Sequence, residues 1–189
     1  MRVLPLIGAL ALWAGFAGSA GAAVAVIADT SAANCSRAAL EKRADDASLG
    51  FCNEAIDQGD LSKDDLTRTY VNRGAVLMNR RAYDAARGDL ERAIQLDPTV
   101  GDAWMDRGAI EIIEHRYADG ISDTTKGLAL GVSDPAKAYF NRAVAYEGVG
   151  DEKSAYLDYQ QALVLKPDWE APKHELLRFS VTQRPAVPG

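Results

Sequence analysis

The chain has 189 residues, 48% hydrophobic and 25% charged, a balance that fits one globular or repeat domain and calls for no second. With 27 acidic against 21 basic residues the net charge is −6. That argues against nucleic acid, which needs clustered Lys and Arg, and leans towards neutral or basic protein partners.

The first element is an export signal by composition. Arg2 precedes an apolar run from Val3 to Phe16, and Ala20-Gly21-Ala22 offers a small-residue cleavage site, so residues 1–22 are expected to be removed and the mature chain to begin at Ala23. The alternative is an uncleaved anchor, because the uncharged stretch 3–27 exceeds the roughly 20 residues that span a bilayer. Pro5 and the Gly/Ala-rich second half favour the signal, and with it a mature chain that does not insert into membranes. The style of the signal points to a bacterial periplasm.

Cys35 and Cys52 fall just inside the mature chain, where an oxidising compartment invites a disulfide. Two small buried thiols are the alternative. Two cysteines and the distant His115 and His174 do not make a metal site. After a connection over Gly59–Asp65, Ser62 with Asp65 three residues on resembles a capping box that opens the next helix.

From Thr67 to Trp169 one pattern is written three times. Tyr70-Val71-Asn72, Trp104-Met105-Asp106 and Tyr139-Phe140-Asn141 begin 34 and then 35 residues apart, followed by Arg73-Gly74, Arg107-Gly108 and Arg142-Ala143. Such a period marks stacked supersecondary units, each burying its apolar face on the next. In each unit a second apolar-periodic stretch begins at Tyr83, Tyr117 or Asp151 and ends at Leu96, Leu130 or Leu165, with Pro98 and Pro167 stopping two of them. Ser133-Asp134-Pro135 supplies a cap and a first-turn proline. Gly120 and Gly127 each cost about 1 kcal/mol in a helix interior, so Tyr117–Leu130 is expected to be the softest helix.

Each repeated arginine has an aspartate 16 residues later, Asp89 after Arg73, Asp123 after Arg107 and Asp158 after Arg142, which predicts an ion pair across each helical hairpin. Aligning Ala55-Ile56 with Ala93-Ile94 puts Cys35 at the arginine position and Cys52 at the position of Leu90, so the disulfide is expected to replace the ion pair in the first hairpin. At the other end, Trp169–Ser180 reads as a polar-faced closing helix, and 182–189, with Pro185 and Pro188, as a loose tail.

These residues resemble the tetratricopeptide repeat family, closely over Thr67–Trp169 and loosely over Ala33–Asp65. The departures are Arg where the pattern has Leu, Glu111 in an aromatic slot and Thr124 in place of a large apolar residue. The resemblance implies an all-α, right-handed α-solenoid of antiparallel helix pairs. Its parts are a divergent pair in 23–66, repeats at 67–100, 101–135 and 136–169, and a capping helix over 168–181.

In this family the first helix of each pair lines the concave side. Carried over, that implies a partner groove of Val71, Asn72 and Ala75, then Met105, Asp106 and Ala109, then Phe140, Asn141 and Val144. Small side chains leave room for a peptide, and Asn72 and Asn141 reach its backbone; the competing reading has Val71, Met105 and Phe140 packing between repeats. Some members clamp a C-terminal carboxylate with Lys and Asn. Asn72 matches one such place, but Val71, Ala75 and Asp106 supply no cation, so that ligand is not favoured.

Catalysis finds no support. Glu111 and Glu114 read as a solvated helix face, and no nucleophile with a base, phosphate loop or cofactor motif is present. The expectation is an exported, non-catalytic, monomeric interaction module that needs no cofactor or metal and holds a protein or peptide in its groove. The alternative is an assembly subunit of an envelope complex that uses its ends or convex face.

Overall fold

The computed structural model describes residues 30–182; the signal expected at 1–22 and the tail beyond 182 lie outside the described residues. Among the described residues there are nine α-helices and no strand. They form four antiparallel hairpins, α1 (Ser31–Leu40) with α2 (Asp46–Gln58), α3 (Lys63–Asn79) with α4 (Tyr83–Leu96), α5 (Gly101–Ile113) with α6 (Tyr117–Leu130) and α7 (Pro135–Gly148) with α8 (Glu152–Leu165). A ninth helix, α9 (Glu170–Thr182), closes the stack. None of these helices is long and apolar enough to cross a membrane.

Helix starts follow from local chemistry. The side chains of Thr30, Asp45, Ser62, Asp134 and Asp151 each accept a backbone N–H three residues on, satisfying donors that the first turn leaves open. Every hairpin then turns through one left-handed residue: Lys42 (φ 54°), Arg81 (61°), His115 (63°) and Gly150 (80°). Only the last is glycine, the residue that takes this conformation without cost.

The hairpins are held shut by a repeated contact of a small residue on the first helix with a larger one on the second. An added Cβ on Gly74 would stand 3.1 Å from the Leu90 side chain, and one on Gly108 would stand 2.7 Å from the Thr124 hydroxyl. Ala143 and Tyr159 share the third such cluster. In the first hairpin this place is taken by the Cys35–Cys52 disulfide, both residues fully buried. The turn at Lys42 matches that at Arg81, and buried Ser48, Cys52 and Ala55 match Ala86, Leu90 and Ala93. Cys35 therefore corresponds to Gly74, not to Arg73, and the bond replaces the buried small–large contact where an ion pair was expected to be replaced.

The glycines of α6 also have a packing reason. A Cβ on Gly120 would meet Ile112 at 2.5 Å, and one on Gly127 would meet the Gly101 carbonyl at 2.8 Å. They mark where α6 lies closest to α5, so what helix propensity takes away is offset by contact with the neighbouring backbone.

At the closing end Phe140, Tyr159 and Phe179 pack on one another, with ring centroids 5.4 and 6.2 Å apart along the chain of contacts. Arg178 of α9 donates to Glu147 of α7 at 2.8 Å, and the buried Tyr159 hydroxyl donates to the same carboxylate at 3.1 Å. Burial first, and then Glu147, push that phenol well above its usual range. Leu157 (54% exposed) and Val164 (71%) of α8 and Leu177 (64%) of α9 face outward.

A groove along the first helices

The three repeated arginines face away from the groove and act as braces. Each places two nitrogens on one carboxylate: Arg73 on Asp89 at 2.7 and 2.7 Å, Arg107 on Asp123 at 2.6 and 2.9 Å, Arg142 on Asp158 at 2.7 and 2.9 Å. The planar fork of Arg suits this bidentate contact, and the half-buried setting keeps water from weakening it. The aspartate hydrogen bonds raise the pKa of each guanidinium, against the opposing effect of burial. Each guanidinium also lies over the aromatic three residues earlier, 5.5 Å from Tyr70, 4.8 Å from Trp104 and 5.4 Å from Tyr139. Arg73 reaches on to Asn53 of α2, and Arg142 to Thr125 of α6, so two of the braces also tie consecutive hairpins together.

On the other side of the first helices, Val71, Asn72, Ala75, Met105 and Asp106 line one opening of about 310 Å³. Phe140 and Asn141 line a second of about 680 Å³, closed by Trp169. Lys42, Asp134 and Lys137 border both, which makes them one groove. Of the residues expected in the groove, Ala109 and Val144 border neither opening. Ala109 is buried, and Val144 packs on the Ala143–Tyr159 cluster. Met105 is only 3% exposed, so it is core first and groove wall second.

Of the charges of the groove, sequence reading placed Asp106 and missed Lys42, Asp134, Lys137 and Lys166. Asp106 is buried, which raises its carboxyl pKa, and Lys137 works against that with a hydrogen bond of 3.2 Å. Lys166 donates to Asp134 at 2.6 Å and lies 5.6 Å from the Trp169 ring, whose face packs 4.9 Å from Phe140. Asp102 accepts the backbone N–H of Ser133 at 2.8 Å and fixes the loop that carries Asp134. One signal was available: Asp102 and Lys137 stand one helical turn before Asp106 and Asn141 in their repeats. No such signal announces Lys42, which comes in from the α1–α2 turn.

Glu111 and Glu114 are not a solvated face. Glu111 is buried, and Arg87 of α4 together with Arg116 binds both carboxylates. Burial alone would raise the Glu111 carboxyl, but Arg116 and then Arg87 reverse the sign and hold it below its ordinary value. The quartet joins two hairpins where the aromatic slot is empty of an aromatic. Among the described residues no cluster of His, Cys, Asp and Glu has the makings of a metal site.

Helical hairpins stacked in this way, with a groove along their first helices, define an α-solenoid. Residues 67–100 and 136–168 match the tetratricopeptide repeat family. The hairpin between them has the same build while carrying Glu111, Thr124 and the paired glycines. Over 101 residues the chain is 32% identical to the Hsp70-Hsp90 organizing protein of Triticum aestivum, which takes in 53% of this chain and 17% of that one. The chain thus spans about a sixth of the length of the curated relatives it matches. Among solved structures, MamA from Desulfovibrio magneticus superposes with a TM-score of 0.63 at 20% identity, covering 80% of this chain and 83% of that one. The first repeat domain of Spaghetti (RPAP3), bound to the HSP90 peptide SRMEEVD, superposes with a TM-score of 0.59 at 21% identity, covering 65% and 95%.

Proposed function

We propose that this protein is an exported interaction module that holds an extended segment of a partner protein in the groove of α3, α5 and α7. The observation that carries the reading is the continuity of the two openings, with Val71 and the Phe140–Trp169 pair as apolar contacts and Asn72 and Asn141 placed to bond a peptide backbone. The peptide held by the Spaghetti domain supports the same use of the fold. The partner is not a simple acidic tail, since Lys137 and Lys166 are already matched by Asp106 and Asp134. A segment with mixed polarity and an apolar side chain for the Phe140–Trp169 end fits better. Export is supported by the composition of residues 1–22 and by the disulfide, a bond at home in an oxidising compartment.

Crosslinking and pull-down from the cell envelope tests the reading. Asn72→Ala with Asn141→Ala is expected to weaken or lose the partner while keeping the wild-type circular dichroism spectrum. Met105 and Phe140 are left alone, because a charge at a packed site would disturb the fold and mimic the result. Retention of the partner by the folded variant would move binding off the groove. It would favour assembly through the convex face, for which the exposed leucine and valine of α8 are the specific observation.

A further inference from the structure

Seven charged side chains border the two openings of the groove, and most of them already have partners. Lys137 lies on Asp106 at 3.2 Å and Lys166 on Asp134 at 2.6 Å. Asp102 accepts from the backbone N–H and the hydroxyl of Ser133. One cation and one anion are left over. Both Lys42 and Asp168 are exposed, and among the described residues neither side chain makes a hydrogen bond or an ion pair. Lys173 is close enough to feel Asp168, but it is bonded to Glu170.

Lys42 is held in place by its backbone. Its N–H donates to the Ala39 carbonyl at 3.1 Å, the next N–H donates to Ala38 at 2.9 Å, and the Arg43 side chain then pairs with Asp45, the cap of α2. Arg81 and His115 occupy the same left-handed position in the next two turns and border neither opening. Lys42 borders both, so it stands where the openings join. Asp168, Phe140 and Trp169 border only the outer one. A cation from the first hairpin and an anion from the turn after α8 thus share one opening with an aromatic pair whose rings are 4.9 Å apart.

We propose that the segment held in the groove carries charges of both signs around an apolar residue. The apolar side chain rests on Phe140 and Trp169, a carboxylate of the segment meets Lys42, and a basic side chain meets Asp168. This rests on the proposed use of the groove by a peptide, and it names which peptides. The internal pairs are what make the reading specific, because they remove Lys137 and Lys166 from competition for the carboxylate and Asp106 and Asp134 from competition for the base. Exposed ion pairs are weak, so the aromatic contact supplies most of the hold and the two charges choose among segments, chiefly by repelling the wrong sign.

Selection of phage-displayed random peptides on the purified protein, followed by fluorescence anisotropy of the peptides it enriches, is the test. The wild-type protein is expected to enrich aromatic or aliphatic residues with an acid on one side and a base on the other. Lys42→Glu should change that preference to a base on both sides, and Asp168→Lys to an acid on both sides. Such new ligands are a gain that a damaged fold would not give. Each reversal should weaken the peptides chosen by the wild type about fivefold. Asn72→Ala with Asn141→Ala should weaken all of them, since it alters the groove and neither charge. Peptides that depend on the two asparagines but keep the same flanking charges in both reversals would overturn this inference and leave the groove reading standing. Peptides indifferent to the asparagines, or a protein that enriches none, would overturn the groove reading and this inference with it.

Discussion

The first hairpin and the third solve the same packing problem in opposite ways. Between α1 and α2 the contact at the heart of the hairpin is a covalent bond, Cys35 to Cys52, with both sulfurs buried. Between α5 and α6 it is Gly108 against Thr124, with glycines at 101, 120 and 127 letting the two backbones come together. The third hairpin has neighbours on both sides, α4 and α7, and shares its stability with them. Among the described residues the first packs mainly on α3 beyond its own two helices. In a stack whose units contact only their neighbours, an end unit lacks one interface, and a cross-link that restricts the unfolded chain makes up for it.

Four measurements break or sharpen the contrast. The largest effect is expected at the end: replacing both Cys35 and Cys52 by Ala should cost about 3 kcal/mol, the value for a loop of this length. Hydrogen exchange should place the loss in α1 and α2. Equal loss in α7 and α8 would show that the stack unfolds as one block and that the end has no weakness of its own.

Next comes Gly127→Ala. Helix propensity alone would stabilise α6 by about 1 kcal/mol, but the added Cβ would stand 2.8 Å from the Gly101 carbonyl and 3.0 Å from the Met105 nitrogen, both backbone atoms. Overpacking against backbone should dominate, with a net loss of about 1–3 kcal/mol in urea denaturation. A gain would mean that the glycines are soft spots after all.

Thr124→Val should go the other way. The Thr124 hydroxyl is buried without a hydrogen-bond partner, so replacing it by a methyl of the same shape should raise stability by about 1 kcal/mol. An unchanged midpoint would point to a hydrogen bond that the hydroxyl makes in solution. The smallest effect belongs to the turns. Arg81→Gly gives that hairpin the residue that Gly150 already supplies in the last, and relief of the left-handed conformation should be worth up to about 1 kcal/mol in thermal unfolding.

Much of this was legible in the sequence because the signals repeat. The aromatic-x-x-Arg period marked three of the four hairpins, Pro98 and Pro167 marked where two second helices end, and the 16-residue spacing linked each Arg to its Asp across a turn. What stayed hidden depends on contacts without a period. Cys35 was set against Arg73 and not Gly74, because the divergent first hairpin differs by one residue between its turn and its second helix, and a shift of one residue moves a side chain by about 100° around a helix. Glu111 looked solvated because its partner Arg87 lies 24 residues away in another hairpin. Ala109 and Val144 were counted as groove because position in a repeat gives the helix face only coarsely, and one turn further along, that face is already covered.

Helix α1 is pinned near its middle by Cys35, and its C-terminal end runs into the turn that carries Lys42, which forms part of the groove wall. From Cys35 to Lys42 is about 10 Å at 1.5 Å per residue, so ten degrees of play at Cys35 would swing Lys42 by nearly 2 Å, enough to forfeit the dispersion contacts that a seated peptide would make there. The bond that closes the first hairpin therefore also holds the helix whose turn lends Lys42 to the groove wall.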